Sequence, residues 1–404
     1  MCDAEIPLVH LHHGGVVTSD VGNPLSTSRD STLRAVVTVV VLLLVFLVGI
    51  KGMGDGFKLL GKDALDSFFR ATSNPFMGLV VGILATTLVQ SSSVSTSMIV
   101  GLVASPESPL PIANAIPMVM GANIGTTVTN TIVSLAHMGR RDEFERAFSV
   151  ATCHDFFNFI AVAVFLPLEI TTGIFQKLSA MVVGRIGGMS GADYQSPLKG
   201  AISLVLKPIK AAIESLVTGP QSQGLVLVLV SGGLIFVALF LLVRTMRGVV
   251  QTRVEVYITR FLGSSVVLAV AVGVAVTVMV QSSSITTALL VPLAGAGLLT
   301  TRQAFPVTVG ANIGTTITAL LAALAVSGPN ASAGLQIAVV HLLFNMSATL
   351  LVLPVPAIRD IPIHAAERLA RVAARSRPFA IAYVIGLFYG IPALLAYLSN
   401  LFDQ

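Results

Sequence analysis

Charge is scarce in this chain: of 404 residues only 11% are Asp, Glu, Lys or Arg, while 54% are hydrophobic. A soluble domain carries roughly 25% charged residues, so the shortage excludes a soluble globular fold. Cysteine is nearly absent, with Cys2 near the start and Cys153 inside an apolar segment. Two such residues build neither a disulfide framework nor a cysteine-rich metal site, which leaves redox chemistry without a basis. The beginning of the chain lacks the basic start and short apolar core of a signal peptide. Residues 1–33 are polar, carry Asp3, Glu5, Asp20 and Asp30, and are expected to form a disordered tail. His10, His12 and His13 in that tail have no Cys or carboxylate cluster at ligand spacing, so no metal site is expected there. The net charge of +5 comes from 24 basic and 19 acidic residues concentrated between apolar runs. That distribution suits loops beside anionic lipid and gives no support to nucleic-acid binding.

What is present is a series of long apolar runs, and the expected fold class is an all-α polytopic membrane protein. Residues 33–50, 148–169, 223–243, 334–355 and 379–400 read as single crossings by length and apolarity. Residues 78–103 and 265–299 are apolar but interrupted midway by four polar residues. As one helix the latter would be about 50 Å long, too long for a hydrocarbon core of roughly 30 Å. Two short helices meeting at the polar patch as a re-entrant hairpin fit instead, lining a protein cavity. Residues 111–136 and 305–325, each containing Asn-Ile-Gly-Thr-Thr, are expected to be discontinuous helices.

With the N-terminus cytoplasmic, fifteen of the 24 basic residues, all Arg, fall on cytoplasmic segments. The remaining nine lie in two long outer segments, 51–77 and 170–222, which translocate largely regardless of charge. The organisation is then a tail (1–33), a first crossing plus first repeat (34–169), a long outer loop (170–222), a second repeat (223–355), an Arg-rich cytoplasmic loop (356–378) and a final crossing (379–404). Within the outer loop, Leu206 to Val217 reads as an interfacial amphipathic helix.

Three motifs occur twice in the same order. Gln90-Ser91-Ser92-Ser93 recurs as Gln281-Ser282-Ser283-Ser284. Gly121-Ala122-Asn123-Ile124-Gly125-Thr126-Thr127-Val128-Thr129 recurs as Gly310-Ala311-Asn312-Ile313-Gly314-Thr315-Thr316-Ile317-Thr318. His154-Asp155-Phe156-Phe157-Asn158 recurs as His341-Leu342-Leu343-Phe344-Asn345. The offsets shrink from 191 to 189 to 187, as small loop deletions in a duplicated chain would produce. The expected topology gives the copies opposite orientation, and inverted repeats with broken helices are the architecture of secondary transporters. Small and hydroxyl residues also let membrane helices pack closely. Packing alone does not require runs of four polar residues, which in hydrocarbon need partners or ligands.

A helix break exposes N–H groups that attract anions and C=O groups that attract cations. Ser and Thr hydroxyls can donate to a small oxyanion, while Asn, Gln, Ser and carbonyl oxygens suit an alkali cation. Neither motif contains Lys or Arg, so a multiply charged anion would need co-bound cations, which is the logic of a symporter. Asp155 lies about 13 Å along its crossing from Arg146, an expensive place for a carboxylate. Asp155 and Asn158, three apart on a helix, could ligate one cation, and the second copy has Leu342 in place of the aspartate. His154 and His341 are expected to serve packing.

Together the duplicated Gln-Ser-Ser-Ser and Asn-Ile-Gly-Thr-Thr motifs and the His-Asp-x-x-Asn segment resemble the type II sodium-dependent phosphate cotransporter family, over roughly residues 35–400. The resemblance implies sodium-driven uptake of inorganic phosphate, mainly hydrogen phosphate, by alternating access. It also implies a multi-pass plasma-membrane protein that is not an enzyme, with sodium as coupling ion and no cofactor beyond it. By the same resemblance Gln281, Ser282, Thr315 and Thr318 match sodium ligands, and Asp155, with Asn158 beside it, matches an aspartate holding an additional sodium that makes transport electrogenic. The phosphate-binding region is matched by Gln90, Ser91, Ser92, Ser93, Asn123, Thr126, Thr127, Ser283, Ser284, Asn312 and Thr316. The chain departs from the family in having Ala122 and Ala311 where a serine is common, in Ser149 where one of an alanine pair (the other is Ala151) is usual, and in lacking outer-loop cysteines.

Three other readings compete. Gly56-Phe57-Lys58-Leu59-Leu60-Gly61-Lys62-Asp63 nearly spells a phosphate-binding loop, but Asp63 replaces the magnesium-holding hydroxyl, no strand precedes it and no stretch is long enough for a nucleotide domain. A sodium-coupled carboxylate carrier would share hairpins and hydroxyl-rich tips, and only substrate competition separates it. A channel would not need oppositely oriented halves around a sealed site.

Overall fold

The computed structural model describes residues 29–60, 72–106, 109–187, 197–261, 265–326 and 328–402. Among them every regular element is helical, as apolar runs demand when each backbone N–H and C=O must be satisfied within its own segment. Among the described residues six helices are long and apolar enough to cross a membrane: Val37–Leu60, Arg141–Thr172, Pro220–Leu239, Thr301–Ala325, Ala331–Val352 and Arg377–Ser399. Five answer to the expected single crossings.

The sixth is a correction. Residues 305–325, expected to be discontinuous, lie within one helix, Thr301–Ala325. The copies differ at the first threonine: Thr315 Oγ1 bonds back to the Ala311 carbonyl of its own helix at 3.1 Å, whereas its counterpart Thr126 reaches Ser92 Oγ of the hairpin. The first copy is broken only slightly, into Ile112–Gly125 and Val128–Leu135. Between these, Thr126 and Thr127 keep right-handed helical dihedrals, and Thr127 N bonds to the Ile124 carbonyl, three residues back.

In chain order the helices are α1 (Arg29–Leu60), α2 (Pro75–Val89), α3 (Ser92–Val103), α4 (Ile112–Gly125), α5 (Val128–Leu135), α6 (Arg141–Thr172), α7 (Ile174–Gly187) and α8 (Pro197–Leu216). There follow α9 (Pro220–Phe261), α10 (Val266–Val280), α11 (Ser283–Gly295), α12 (Thr301–Ala325), α13 (Ala331–Val352), α14 (Pro356–Ala373) and α15 (Arg377–Ile385). A π-helical turn at Gly386–Gly390 leads into α16 (Ile391–Phe402).

Several boundaries move. The expected tail falls on residues 1–28, outside the described residues, except that 29–33 already belong to α1, which meets no Gly or Pro before Gly49. Helix α1 also runs on into the expected outer segment, and α9 continues past residue 243 through the Arg-bearing stretch to Phe261. Gly56 to Leu60 are helical and 61–63 lie outside the described residues, so the described part of the loop-like motif is not a loop. The amphipathic helix expected at 206–217 is the second half of the longer α8, which packs against α1 and α9 and is tied to α1 by Lys210 Nζ, 3.2 Å from Asp55.

Both expected hairpins are present, α2 with α3 and α10 with α11, and each first arm lies across the helix that follows its hairpin. The crossings are set by glycine. A Cβ on Gly82 or Gly121 would strike the backbone carbonyl of Met118 or Leu79, and in the second copy one on Gly273 or Gly310 would strike that of Val307 or Val270. The first glycine of each Gly-Ala-Asn motif therefore serves backbone approach, as small residues do between membrane helices. Apolar packing between the copies includes Phe157 against Phe305 edge-on at 5.8 Å, and Phe165, Phe175 and Phe344 in mutual edge contact.

Candidate functional site

At each hairpin tip the chain does the same unusual thing. Gln90 and Gln281, both with φ 55°, are the non-glycine residues of positive φ among those described. The left-handed residue ends the first arm, and the following serine starts the second by capping it: Ser91 Oγ accepts from Val94 N and Ser282 Oγ from Ile285 N, each at 3.4 Å. A left-handed glutamine carries backbone strain, here present twice at equivalent positions. The arms that follow, α3 and α11, begin with serines and present helix N-termini, where free N–H groups and the helix dipole favour an anion.

Behind the tips runs a chain of buried amides joined by one imidazole. Thr287 Oγ1 donates to Asn130 Oδ1 at 2.8 Å, and Asn130 Nδ2 lies 3.3 Å from His154 Nδ1. His154 Nε2 is 2.7 Å from Asn312 Oδ1, Asn312 Nδ2 donates to Asn158 Oδ1 at 2.9 Å, and Asn158 Nδ2 donates to the Asn123 carbonyl at 2.9 Å. Every side chain in it is 2% exposed or less. Since Asn312 Oδ1 can only accept, His154 carries its proton on Nε2 and accepts on Nδ1, a neutral ring satisfied at both nitrogens. His154 is thus the link between the copies and not the packing residue it was expected to be. His341 has no hydrogen-bond partner at either ring nitrogen among the described residues.

Asp155 is fully buried, and its Oδ2 accepts from Tyr383 Oη of α15 at 2.8 Å. Its Oδ1 has no hydrogen-bond donor among the described residues. The Thr127 and Thr131 hydroxyls lie beside the carboxylate and within hydrogen-bond reach of the Ile124 and Thr127 carbonyls as well. Asn158 does not share this environment: both ends of its amide are engaged elsewhere. The pair expected to ligate one cation is therefore split: although three residues apart on one helix, Asp155 is engaged by Tyr383 of α15 and Asn158 by Asn312 of α12 and the Asn123 carbonyl.

Of the other expected residues, Thr318 Oγ1 donates to Gln281 Oε1 at 3.0 Å and Thr126 Oγ1 to Ser92 Oγ at 3.1 Å. Ser92, Ser93, Asn123, Thr126, Thr127, Ser283, Asn312, Thr315, Thr316 and Thr318 are all buried, while Ser91, Ser282 and Ser284 are half-buried and Gln90 is exposed. Thr127 Oγ1 bonds back to the Ile124 carbonyl of α4, and Thr315 and Thr316 bond within α12. Asn130, Thr287 and Tyr383 escaped the sequence reading. Asn130 follows its motif directly but is matched by Ala319 in the second copy, and Tyr383 is 228 residues from Asp155, outside the repeats.

A cavity of about 440 Å³ opens between the start of α6, the α11–α12 turn and α14, on the face of the Arg-rich segments. Its wall includes Ser149, whose Oγ is 2.8 Å from Thr301 Oγ1, and Arg146, whose guanidinium donates to the carbonyls of Ala294 and Gly295 at the end of α11. On the same face Arg302 lies 2.9 Å from Asp360 and holds that carboxyl below its ordinary value.

The family model described as Na+/Pi-cotransporter matches residues 45–185 and 234–355. The chain is 35% identical over 438 residues to sodium-dependent phosphate transport protein 2A of Ovis aries, covering 91% of this chain and 68% of that protein. To protein 2B of Homo sapiens it is 34% identical over 441 residues, covering 88% of this chain and 64% of that protein. The chain thus spans about two thirds of the length of these relatives. No solved structure matches it.

Proposed function

The chain belongs to the Na+/Pi-cotransporter family, and on that premise we propose that it is a sodium-coupled symporter importing inorganic phosphate, as hydrogen phosphate, across the plasma membrane. Transport proceeds by alternating access of inverted repeats, with the N-terminus cytoplasmic, and is electrogenic. The observation that carries this reading is the chemistry of the buried polar region. It holds serine and threonine hydroxyls, amides, two helix N-termini and one carboxylate, while no Lys or Arg is buried among the described residues. A dianion at the tips has donors but no fixed positive charge, so it must enter with cations, and burying it without them would cost far more than hydrogen bonds return.

In this reading phosphate is held by Gln90, Ser91, Ser92, Ser93, Asn123, Thr126, Thr127, Ser283, Ser284, Asn312 and Thr316. Sodium is held by Gln281, Ser282, Thr315 and Thr318, with a further sodium at Asp155. The contacts Gln281–Thr318 and Ser92–Thr126 support pairing tip residues with the following helix.

The test is radiolabelled phosphate uptake into proteoliposomes of purified protein. Accumulation is expected only under an inward sodium gradient, with potassium unable to substitute. Equal uptake in sodium and potassium, or sodium-driven uptake of succinate but not phosphate, would overturn the reading, the latter in favour of a carboxylate carrier.

A further inference from the structure

Asn312 grips α6 with both ends of its carboxamide, Oδ1 toward His154 Nε2 at 2.7 Å and Nδ2 toward Asn158 Oδ1 at 2.9 Å. The duplication assigns this bridge a counterpart in which Asn123 of α4 meets His341 and Asn345 of α13, two helices that pack together. That counterpart is not made. Both ring nitrogens of His341 and the Oδ1 of Asn345 are without hydrogen-bond partners among the described residues, and each residue is 1% exposed. Asn123 Nδ2 is turned onto its own helix, donating to the Val119 carbonyl at 3.0 Å. His341 and Asn345, four apart, stand on one helix face as His154 and Asn158 do, so one half of the bridge is assembled and vacant.

Other equivalent contacts are also one-sided. Thr318 reaches Gln281 and Thr277 reaches Thr286 in the second copy, whereas Thr129 Oγ1 and Thr86 Oγ1 have no partner among the described residues. The reverse holds for Thr126 and Ser92, joined at 3.1 Å, while Thr315 bonds within its own helix.

We propose that Asn312 and Asn123 are alternating clamps: Asn312 holds His154 and Asn158 in the conformation described here, and in the opposite conformation it lets go while Asn123 takes His341 and Asn345. The proposal rests on the alternating-access reading and names the side chains whose partners change. Buried polar atoms without partners are unfavourable, so the vacant half destabilises this conformation and favours the other, while the filled half does the reverse. Two states with such offsetting contacts lie close in energy, as exchange between them requires. The clamps are unequal, because Asn130 and Thr287 brace His154 whereas Ala319 stands at the position equivalent to Asn130, so the unliganded protein favours the conformation described here.

The experiment reads the conformation without transport. Glu367, half-buried, lines the cavity that is open in the conformation described here. Glu367→Cys, in a chain carrying Cys2→Ser and Cys153→Ala, is labelled with a maleimide in detergent without sodium or phosphate. His154→Leu is expected to slow labelling as the ratio of conformations shifts by about tenfold. His341→Leu alone is expected not to slow it, and adding it to His154→Leu is expected to restore the rate. His154→Gln, which keeps a hydrogen-bonding end, should recover part of the loss. Asn158→Leu and Asn345→Leu repeat the comparison should a histidine variant fail to elute as a monodisperse peak. No slowing with His154→Leu, or slowing that His341→Leu does not reverse, overturns the clamps. Because labelling needs no substrate, phosphate import by the wild type without these shifts in the variants refutes the clamps alone. The shifts in the variants without sodium-driven phosphate uptake by the wild type refute the proposed function alone.

Discussion

Gly310→Ala adds one methyl group to α12 at its crossing with α10, where the new Cβ would lie under 3.0 Å from the Val270 carbonyl oxygen and carbon. The obstacle is main chain, which cannot swing aside as a side-chain terminus would, so the two helices must separate. Overpacking costs about 1–3 kcal/mol, sometimes more, and a backbone obstacle places this case at the upper end. Against it stands the gain of about 1 kcal/mol from replacing a helical glycine with alanine, leaving a net loss of about 2 kcal/mol. Gly233→Ala is the control, since nothing lies within 4 Å of a Cβ there and the helical gain alone should remain. The assay is the thermal midpoint of detergent-solubilised protein, followed by phosphate uptake. Gly310→Ala should melt below the parent and Gly233→Ala at or above it. Gly121→Ala, which meets the Leu79 carbonyl in the same way, should behave like Gly310→Ala. A Gly310→Ala protein as stable as Gly233→Ala would show that these crossings are not set by glycine.

Asp155→Asn should still import phosphate, but with fewer sodium ions per phosphate and weaker acceleration by an inside-negative potential, since one charge across 100 mV is worth about 2.3 kcal/mol; an unchanged voltage response would make Asp155 structural. Ser92→Ala and Ser283→Ala should each cut uptake strongly with expression intact, and normal uptake in both would return the tips to a packing role. Tyr383→Phe removes the donor to a buried carboxylate, a loss of about 1–3 kcal/mol or more, so its thermal midpoint should fall. The fall should be smaller in an Asp155→Asn background, and strictly additive losses would refute the coupling.

The amino-acid sequence determined the helical membrane class, because backbone polar groups in hydrocarbon leave few alternatives and 54% apolar residues arranged in long runs are legible one by one. It also determined the duplication and the two hairpins, since Gln-Ser-Ser-Ser interrupts a run too long for one crossing. Tertiary structure decided the rest. Whether Asn-Ile-Gly-Thr-Thr breaks its helix goes with the partner of its first threonine, which is the Ala311 carbonyl within α12 for Thr315 and Ser92 of the hairpin for Thr126. That Asp155 meets Tyr383 from α15, while Asn158 three residues on meets Asn312 from α12, follows from which helices pack against α6 there. The difference between His154, satisfied at both nitrogens, and His341, satisfied at neither, lies beyond a reading of the His and Asn that both copies place four apart. It follows from which side chains packing brings to each imidazole: Asn130 and Asn312 reach His154, whereas Ala319 stands at the position equivalent to Asn130 and Asn123 is turned onto its own helix.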